Sequence, residues 1–560
     1  MLRLFLVIPF LMLITFCAPQ ADEITVIHNV NGYTMNEDGE RLTFEAIAFE
    51  NGIILETGSS SHILNEYPDA VTIDGEGNTM LPGLIDAHAH ILGLGESLLN
   101  VNLAGAQSLD EALQRISDFA EEHPDHDWIL GRGWNQTHWP ENEFPTAADL
   151  DQVSDGRPIY LRRVDGHAAW VNTQALEISG IDSETPDPQG GAILKDDAGN
   201  PTGILIDRAM YIVQENIPEP DENFYREALD LSMASIRQHG ITTVHDAGVS
   251  VDAFRLYREY ADEEKLTLRI YGMISGAGIT FEQLSVDGPV VGYADDMLHL
   301  KSVKMYSDGA LGSRGAALKE EYSDDPGNYG LLFEEEEQFY EDIKNVSTAG
   351  FQASVHAIGD RANYTILNAF ERVRDEFGEQ GLRHRIEHSQ IVDVEDIPRF
   401  AELNIIASMQ PTHATSDMNM AEDRVGPVRI LGGYAWRSFL DQGTVIASGS
   451  DFPVEDVNPF YGLYSSVYRA DFEGNPEGGW YQSQAMTRDE ALYAFTLGAA
   501  YAGHAETTTG SLEPGKYADF ILTDQDFFEV DESQIWQTNV LETWVGGNQV
   551  FQAVHDFNGQ

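Results

Sequence analysis

Eight short apolar runs, separated by stretches with helical periodicity, constrain the fold more than any other feature of the chain. Apolar runs that alternate with helical segments are typical of βα units around a parallel sheet, and eight such strands close a barrel. We therefore predict an α/β protein with a distorted (β/α)8 TIM barrel over residues 81–504. The expected barrel strands are residues 81–87, 240–245, 267–273, 300–305, 351–356, 384–388, 404–410 and 444–449.

Both ends of the chain have a different pattern, in which short strand-like segments are separated by Asn, Gly and Asp. Phe44–Phe49 is such a segment near the N-terminus, and the stretch from Ala518 to Phe551 has the same character. We expect residues 22–80 and 505–560 to form one small composite β-sandwich domain, with the barrel inserted between its two parts.

The gap between the first and second expected barrel strands is far longer than a βα loop. Residues 191–207 within this gap indicate a β-hairpin, because a turn-like Asp-Asp-Ala-Gly-Asn-Pro segment separates two apolar runs. We predict an insertion over about residues 100–225 that forms a lid or wall over the mouth of the barrel.

Residues 1–21 have the features of a secretory signal peptide, since Arg3 precedes an apolar stretch, residues 4–16, that is too short to span a membrane. We expect the mature chain to be exported to the periplasm or cell envelope. Cys17, the only cysteine, resembles the lipidation site of a bacterial lipoprotein, although bulky Phe16 stands where a small residue is expected. A lipid anchor at Cys17 and an unanchored exported chain both stay open.

The charge balance excludes one class of partner. The chain has 93 acidic and 32 basic residues, a formal net charge of −61, so the phosphates of a nucleic acid would be repelled. Hydrophobic residues still make up 42% of the chain, which is enough for a packed core. So acidic a surface, with only seven lysines, suggests a protein adapted to salty water.

Six residues of types that bind or bridge metal ions lie at the ends of expected strands. Two histidines, at positions i and i+2 of an extended strand, project from one face and can reach one cation. Taken singly, each residue has an ordinary alternative, such as a buried ion pair, a hydrogen-bonded core histidine or a helix cap. A barrel gathers its active-site residues at the carboxyl ends of its strands, so the set predicts a metal centre. The set is His88, His90, Lys304, His356, His388 and Asp451.

This order of residues resembles the metal-dependent amidohydrolase superfamily, specifically its binuclear type. Five segments are similar more narrowly to the branch that contains N-substituted formamide deformylases, amidohydrolase family 3. The resemblance covers essentially the whole mature chain. The segments are LPGLIDAH (81–88), DGALGSR (308–314), HAIGDRA (356–362), MQPTH (409–413) and GSLEPGKYAD (510–519).

The resemblance implies two divalent ions, expected to be zinc, and a bridging lysine. Lys304 would carry a carboxylate derived from carbon dioxide, because two cations are better bridged by an anion than by an ammonium group. A hydroxide shared by the two ions would be the nucleophile, and Asp451 would be the catalytic proton shuttle. The implied ligands are His88, His90 and Asp451 for one ion, and His356 and His388 for the other.

Four further residues are candidates for contact with a substrate: His167, Trp170, Arg314 and His413. Each also has the alternative of a loop or lid residue satisfied by hydrogen bonds or packing. Glu387, beside His388, is expected to have a supporting role.

The resemblance implies a hydrolase that cleaves an amide-type carbon–nitrogen bond of a small molecule, such as an N-substituted formamide or an N-acyl amine. A mononuclear deaminase of the same superfamily is the first alternative, although a bridging lysine has no task beside one ion. A catalytically inactive, metal-binding envelope lipoprotein is the second. The oligomeric state stays open, with a homodimer as one expectation.

Overall fold

The computed structural model describes residues 23–554, apart from residues 125, 137, 138, 141, 165, 167, 189, 190 and 219. The predicted signal peptide and Cys17 therefore lie outside the described residues, and export and lipid anchoring stay predictions. Within this described part of the chain, no helix combines the length and apolar character needed to cross a bilayer.

The N-terminal segment contributes five strands to a curved sheet. β1 pairs antiparallel with β2, and its other edge pairs in parallel first with β4 and then, further along, with β5. One long strand therefore holds two shorter ones end to end. The strands are β1 (Thr25–Met35), β2 (Arg41–Glu50), β3 (Ile53–Gly58), β4 (Val71–Asp74) and β5 (Thr79–Pro82).

The first barrel strand, β6 (Leu84–Ala89), is followed by a separate six-stranded sheet. In this inserted sheet β11 and β12 pair antiparallel, which is the hairpin expected over residues 191–207. The strands lie in the order β11-β12-β10-β9-β8-β7. They are β7 (Val101–Asn102), β8 (Ile129–Trp134), β9 (Ile159–Arg163), β10 (Ala168–Val171), β11 (Gly191–Lys195) and β12 (Pro201–Asp207).

The remaining seven barrel strands pair in parallel in chain order, and β15 adds antiparallel to one of them. Each of the eight predicted runs overlaps a different one of the eight barrel strands, so the predicted barrel is confirmed. The seam between the last strand and β6 is bridged by Asp86, which accepts hydrogen bonds from the backbone and hydroxyl of Ser450. The strands are β13 (Ile241–Val249), β14 (Arg269–Ser275), β15 (Val290–Gly292), β16 (Leu298–Tyr306), β17 (Gln352–Ala357), β18 (Arg385–His388), β19 (Ile406–Met409) and β20 (Ile446–Ser448).

The C-terminal strands β21 (Phe520–Thr523), β22 (Val540–Val545) and β23 (Asn548–Gln552) complete the first sheet by pairing β21 with β5. The sheet curls so that Phe49 of β2 contacts Phe520 and Trp544, with each pair of ring centroids 6.0 Å apart. Both ends of the chain therefore share one core, as the sequence predicted.

Helices cover the outside of the barrel, and their buried residues recur every three or four positions, as an amphipathic helix requires. The longest, over residues 360–377, buries Ile366, Ala369, Phe370 and Val373. The helices are α1 (Ser60–Glu66), α2 (Ile91–Leu98), α3 (Leu109–Glu122), α4 (Ala147–Asp151), α5 (Thr173–Ile178), α6 (Met210–Gln214), α7 (Glu222–Gln238), α8 (Val251–Asp262), α9 (Ile279–Leu284), α10 (Tyr293–Asp296), α11 (Glu336–Thr348), α12 (Asp360–Phe377), α13 (Ile397–Glu402), α14 (Pro411–Asp417), α15 (Ala421–Arg429), α16 (Trp436–Asp441), α17 (Pro459–Tyr468), α18 (Arg488–Ala494) and α19 (Leu497–Ala502).

Candidate metal centre

A cavity of about 1120 Å³ opens at the carboxyl ends of the barrel strands, between the barrel and the inserted sheet. The structure brings all six predicted metal-site residues to this one cavity. They come from five strands or from the residues directly after them, as expected for a barrel active site. The residues are His88, His90, Lys304, His356, His388 and Asp451.

Three of these side chains converge closely enough to share one cation. A ligand atom of each of His88, His388 and Asp451 lies within 4.8 Å of the others, and all three residues are buried. Asp451 Oδ1 is 3.7 Å from His88 Nε2 and 3.1 Å from His90 Nε2. Two or more imidazoles with a carboxylate form a typical donor set for a divalent metal.

Lys304 lies in the middle of the cluster. Its Nζ is 2.9 Å from His88 Nε2, and the residue is only 1% exposed. Burial lowers the pKa of Lys304 to about 8, because a low-dielectric surrounding disfavours the ammonium form. The neutral amine, which is the form that reacts with carbon dioxide, is therefore far more populated near pH 7 than in an exposed lysine.

His356 and His388 lie beside each other, with ring centroids 4.5 Å apart. Burial lowers the pKa of His356 to about 3, so the imidazole is neutral and can act as a ligand. Within the described residues, the buried Asp451 Oδ1 faces this cluster and forms no hydrogen bond of good geometry, whereas His356 Nε2 lies 3.5 Å from Asp308 Oδ1. A buried polar atom is costly without a partner, so the orphaned oxygen of Asp451 fits a cation-binding role.

Hydrogen bonds from the protein orient three of the histidines. The Nδ1 atom of His88 contacts Glu387 Oε2 at 2.5 Å, and the Nδ1 atom of His388 contacts Gln410 Oε1 at 2.8 Å. The Nδ1 atom of His90 lies 2.7 Å from the carbonyl oxygen of Ala247. Each contact leaves Nε2 free to face the centre, as outer partners of metal ligands generally do.

Glu387 is itself held by Arg385, whose guanidinium lies 2.7 Å away while both side chains are completely buried. Burial alone would raise the pKa of Glu387, but the charge of Arg385, together with His88 and Lys304, outweighs burial and holds the pKa well below its usual range. The carboxylate therefore stays ionised beside His88. The supporting role of Glu387 was expected from its position beside His388, whereas no sequence feature pointed to Arg385.

The four predicted substrate-contact residues fall in different places. His413 lines the cavity, with Nε2 3.8 Å from Asp451 Oδ2. Arg314 is not among the residues lining the cavity and forms an ion pair with Asp324 at 2.8 Å. Trp170 is fully buried in the core of the inserted sheet, where it contacts Trp134 and Trp139. His167 lies outside the described residues.

The inserted sheet supplies a wall of the cavity, and the side chains of that wall were not among the predicted site residues. Leu130 and Arg132 of β8 and Tyr160 and Arg162 of β9 line the cavity. Each pair is separated by two positions in its strand, so the alternation of side chains along a strand explains the shared face. That alternation was visible in the sequence, but the face turned to the cavity depends on how the insertion docks.

A (β/α)8 barrel with a buried histidine, lysine and aspartate cluster at its carboxyl mouth defines a metal-dependent hydrolase. Residues 71–551 match the model of the family described as the amidohydrolase family. The chain belongs to this family, which confirms the resemblance found in its motifs.

Curated relatives match over nearly their full lengths. A protein of Bacillus subtilis strain 168, named as amidohydrolase YtcJ, is 33% identical over 93% of this chain and 98% of its own length. The N-substituted formamide deformylase of Arthrobacter pascens is 26% identical over 92% of this chain and 97% of its own. A crystal structure of an uncharacterized metal-dependent hydrolase from Pyrococcus horikoshii superposes with a TM-score of 0.75 at 26% identity, covering 91% of this chain and 99% of that chain.

Proposed function

We propose that this hydrolase cleaves an amide-type carbon–nitrogen bond in a small molecule, using two divalent ions, expected to be zinc. The position of Lys304 carries the proposal. The residue is 1% exposed, its Nζ lies 2.9 Å from His88 Nε2, and it lines the same cavity as His356, His388 and Asp451, so a carboxylated Lys304 would stand among the candidate ligands.

Lys304 would bridge the two sites as a carboxylated amine. Its neutral nitrogen would form a bond to the carbon of carbon dioxide, and the nitrogen would release one proton. Burial favours this reaction, since it lowers the pKa of the lysine to about 8. The product is an anion with two oxygens, which suits a position shared by two cations.

Asp451 would carry the proton during hydrolysis. Burial alone would raise its pKa, but the contact with His90 Nε2 and the charges of the neighbouring histidines together outweigh burial, and the pKa lies well below its usual range. The ionised carboxylate can accept a proton from the attacking water and return it to the leaving nitrogen. When bound, a pair of divalent ions supplies Lewis acidity and lowers the pKa of water.

The cavity suits a substituted amide. Its volume of about 1120 Å³ would hold a substrate much larger than formamide itself. The relative from Arthrobacter pascens is named for deformylation of N-substituted formamides, which supports screening that class first. A mononuclear deaminase is less well supported, because the buried Lys304 would have no second ion to bridge.

The test combines metal analysis with an amide screen. The purified protein, prepared with bicarbonate and without chelator, should contain about two zinc-like ions per chain and release amine from N-substituted formamides or N-acyl amines. Lys304→Ala should lose metal and activity. Lys301→Ala is the matched control, because Lys301 lies on the same strand but does not line the cavity. A single ion that is insensitive to Lys304→Ala would contradict the proposal.

A further inference from the structure

The cavity wall formed by β8 and β9 carries two arginines side by side. Arg132 and Arg162 are paired in register on these parallel strands, as are Leu130 and Tyr160. All four side chains line the cavity that contains the metal-site residues. The two guanidinium groups therefore project from one face of the inserted sheet into the substrate space.

Neither arginine forms an ion pair with a described residue. Arg132 donates to the carbonyl oxygen of Pro453 at 3.2 Å, and Arg162 donates to that of Gly166 at 3.2 Å. Within the part of the chain that the structure describes, no carboxylate lies within 4.0 Å of either group, including that of Glu96 in the same cavity. Like charges directly opposite each other on neighbouring strands are destabilising, so a bound anion would reduce the repulsion between the two guanidinium groups.

The composition makes the pair more unusual. The chain has 93 acidic residues and only 32 basic ones, and many of the described arginines form an ion pair with a carboxylate, as Arg383 does with Glu506. Two neighbouring arginines without such a partner among the described residues are therefore a local concentration of positive charge on one wall of the cavity. Burial and the neighbouring Arg162 both lower the pKa of Arg132, which an incoming anion would offset.

A third donor lies on the same face. Tyr160 is 4% exposed, and its hydroxyl group is buried without a hydrogen-bond partner among the described residues. A buried hydroxyl of this kind is costly unless a ligand satisfies it. Two guanidinium groups and one phenolic hydroxyl form a donor set suited to a planar carboxylate, which arginine binds in a bidentate manner.

The donor set is close to the reacting centre. Pro453, which accepts the hydrogen bond from Arg132, follows Asp451 by two residues, and both line the same cavity. We propose that the substrate carries a carboxylate, held by Arg132 and Arg162 with the help of Tyr160, while its amide bond lies at the metal centre. This inference rests on the proposed amide hydrolysis and names its substrate class.

The carboxylate could belong to either side of the amide, as in an N-acyl amino acid or in a monoamide of a dicarboxylic acid. Two matched pairs of probes distinguish the sides. N-acetylphenylalanine, as both enantiomers, is compared with N-acetylphenethylamine, and N-benzylsuccinamic acid is compared with N-benzylbutanamide. In each pair the two compounds differ by the carboxylate.

The acid of one pair should be the better substrate of the metal-loaded protein, with kcat/KM at least about tenfold above that of its neutral partner. Arg132→Gln and Arg162→Gln should each lower kcat/KM for that acid about 10- to 100-fold, mainly through KM, and change the neutral amide less than about twofold. Tyr160→Phe should have a smaller effect in the same direction. Arg208→Gln, at an exposed position outside the cavity, is the matched control.

A binding measurement separates this inference from the proposed reaction. By calorimetry, 3-phenylpropanoate should bind wild type more tightly than 3-phenylpropan-1-ol, and this preference should disappear in the folded Arg132→Gln/Arg162→Gln variant. If no amide is hydrolysed but the preference and its loss are observed, the carboxylate site stands and the proposed reaction fails. The inference would be overturned if acid and neutral amides were turned over equally and if 3-phenylpropanoate bound equally well to the wild type and to the Arg132→Gln/Arg162→Gln variant.

Discussion

His88 Nδ1 and Glu387 Oε2 are 2.5 Å apart at the base of the metal centre, and both side chains are completely inaccessible to solvent. The histidine lies at the end of β6 and the glutamate on β18. The contact fixes the ring of His88 so that Nε2 faces Lys304 and Asp451. A residue that never touches a substrate can therefore control how well the centre binds metal.

Glu387→Gln should weaken metal retention about 10- to 100-fold, because the amide keeps the size of the side chain but removes the charge that polarises His88. Competition with a chromogenic chelator measures the change. Glu395→Gln, at an exposed loop position, is the control and should bind metal as wild type does. Unchanged metal affinity in Glu387→Gln would show that the contact is only structural.

The barrel and the grouping of the candidate metal ligands could be predicted from the sequence for a clear physical reason. Parallel strands buried on both faces are continuous apolar runs, and residues such as His356 and Asp451 directly end such runs or follow them. The position of such a residue at the end of a strand then determines its position in the barrel. The grouping of the candidate ligands could therefore be predicted without knowledge of side-chain packing.

The inserted sheet could not be predicted in the same detail. Trp170 was a candidate for substrate contact, but every residue of β10 is buried, and the indole packs in the core of the insertion. Arg132 and Arg162 were not among the predicted site residues, because two arginines in separate strands have no characteristic spacing in the sequence. Which face of a strand borders the cavity depends on how the whole insertion docks, and no local sequence pattern determines that docking.

A buried ion pair joins the barrel to the composite β domain. Arg269 at the start of β14 contacts Asp519 through two hydrogen bonds, at 2.7 and 3.1 Å, and both side chains are 4% exposed. Asp519→Ala should destabilise the protein by about 3–5 kcal/mol, because it leaves a buried guanidinium without its counter-charge. Urea unfolding at neutral pH measures the loss.

The matched control for this prediction is Glu337→Ala, which breaks the exposed ion pair with Arg372. That change should cost less than about 1 kcal/mol, since solvent screens exposed pairs. The double variant Arg269→Met/Asp519→Leu should recover part of the stability lost in Asp519→Ala. Equal destabilisation by Asp519→Ala and Glu337→Ala would show that burial does not determine the effect.

His384 should make the protein sensitive to mild acid. Its Nδ1 accepts a hydrogen bond from the backbone N–H of Ala353 at 3.0 Å, and its ring stacks on Phe370. Burial, with a smaller effect of His504, lowers the pKa of His384 from 6.5 to about 4. Protonation would place an N–H against the N–H of Ala353, so the folded state resists it.

The unfolded chain therefore binds this proton at a higher pH than the folded chain does. The stabilisation from neutral His384 is complete above about pH 6.5 and is lost as the pH falls from 6.5 towards 4, on the order of 2 kcal/mol. Unfolding midpoints measured from pH 7.5 to 4.5 should fall more steeply for wild type than for His384→Gln. Parallel curves for the two proteins would exclude His384 as a source of the acid sensitivity.

The last prediction concerns the form in which Lys304 acts. Lys304→Ala should lower kcat for the best amide substrate by about 10²- to 10³-fold and should lose bound metal. The substitution leaves a void beside His88, whose Nε2 lies 2.9 Å from the lysine nitrogen in the wild type.

If the lysine works as a carboxylated anion, a small carboxylic acid entering this void should replace it. Activity of Lys304→Ala should then recover in a saturable way with formate, acetate or propionate when zinc is supplied. Ethylamine or propylamine should have no such effect, since an ammonium ion would be repelled by two metal cations. Recovery with the amines and none with the acids would show that Lys304 acts as an uncarboxylated amine, and a bridging role would then be excluded.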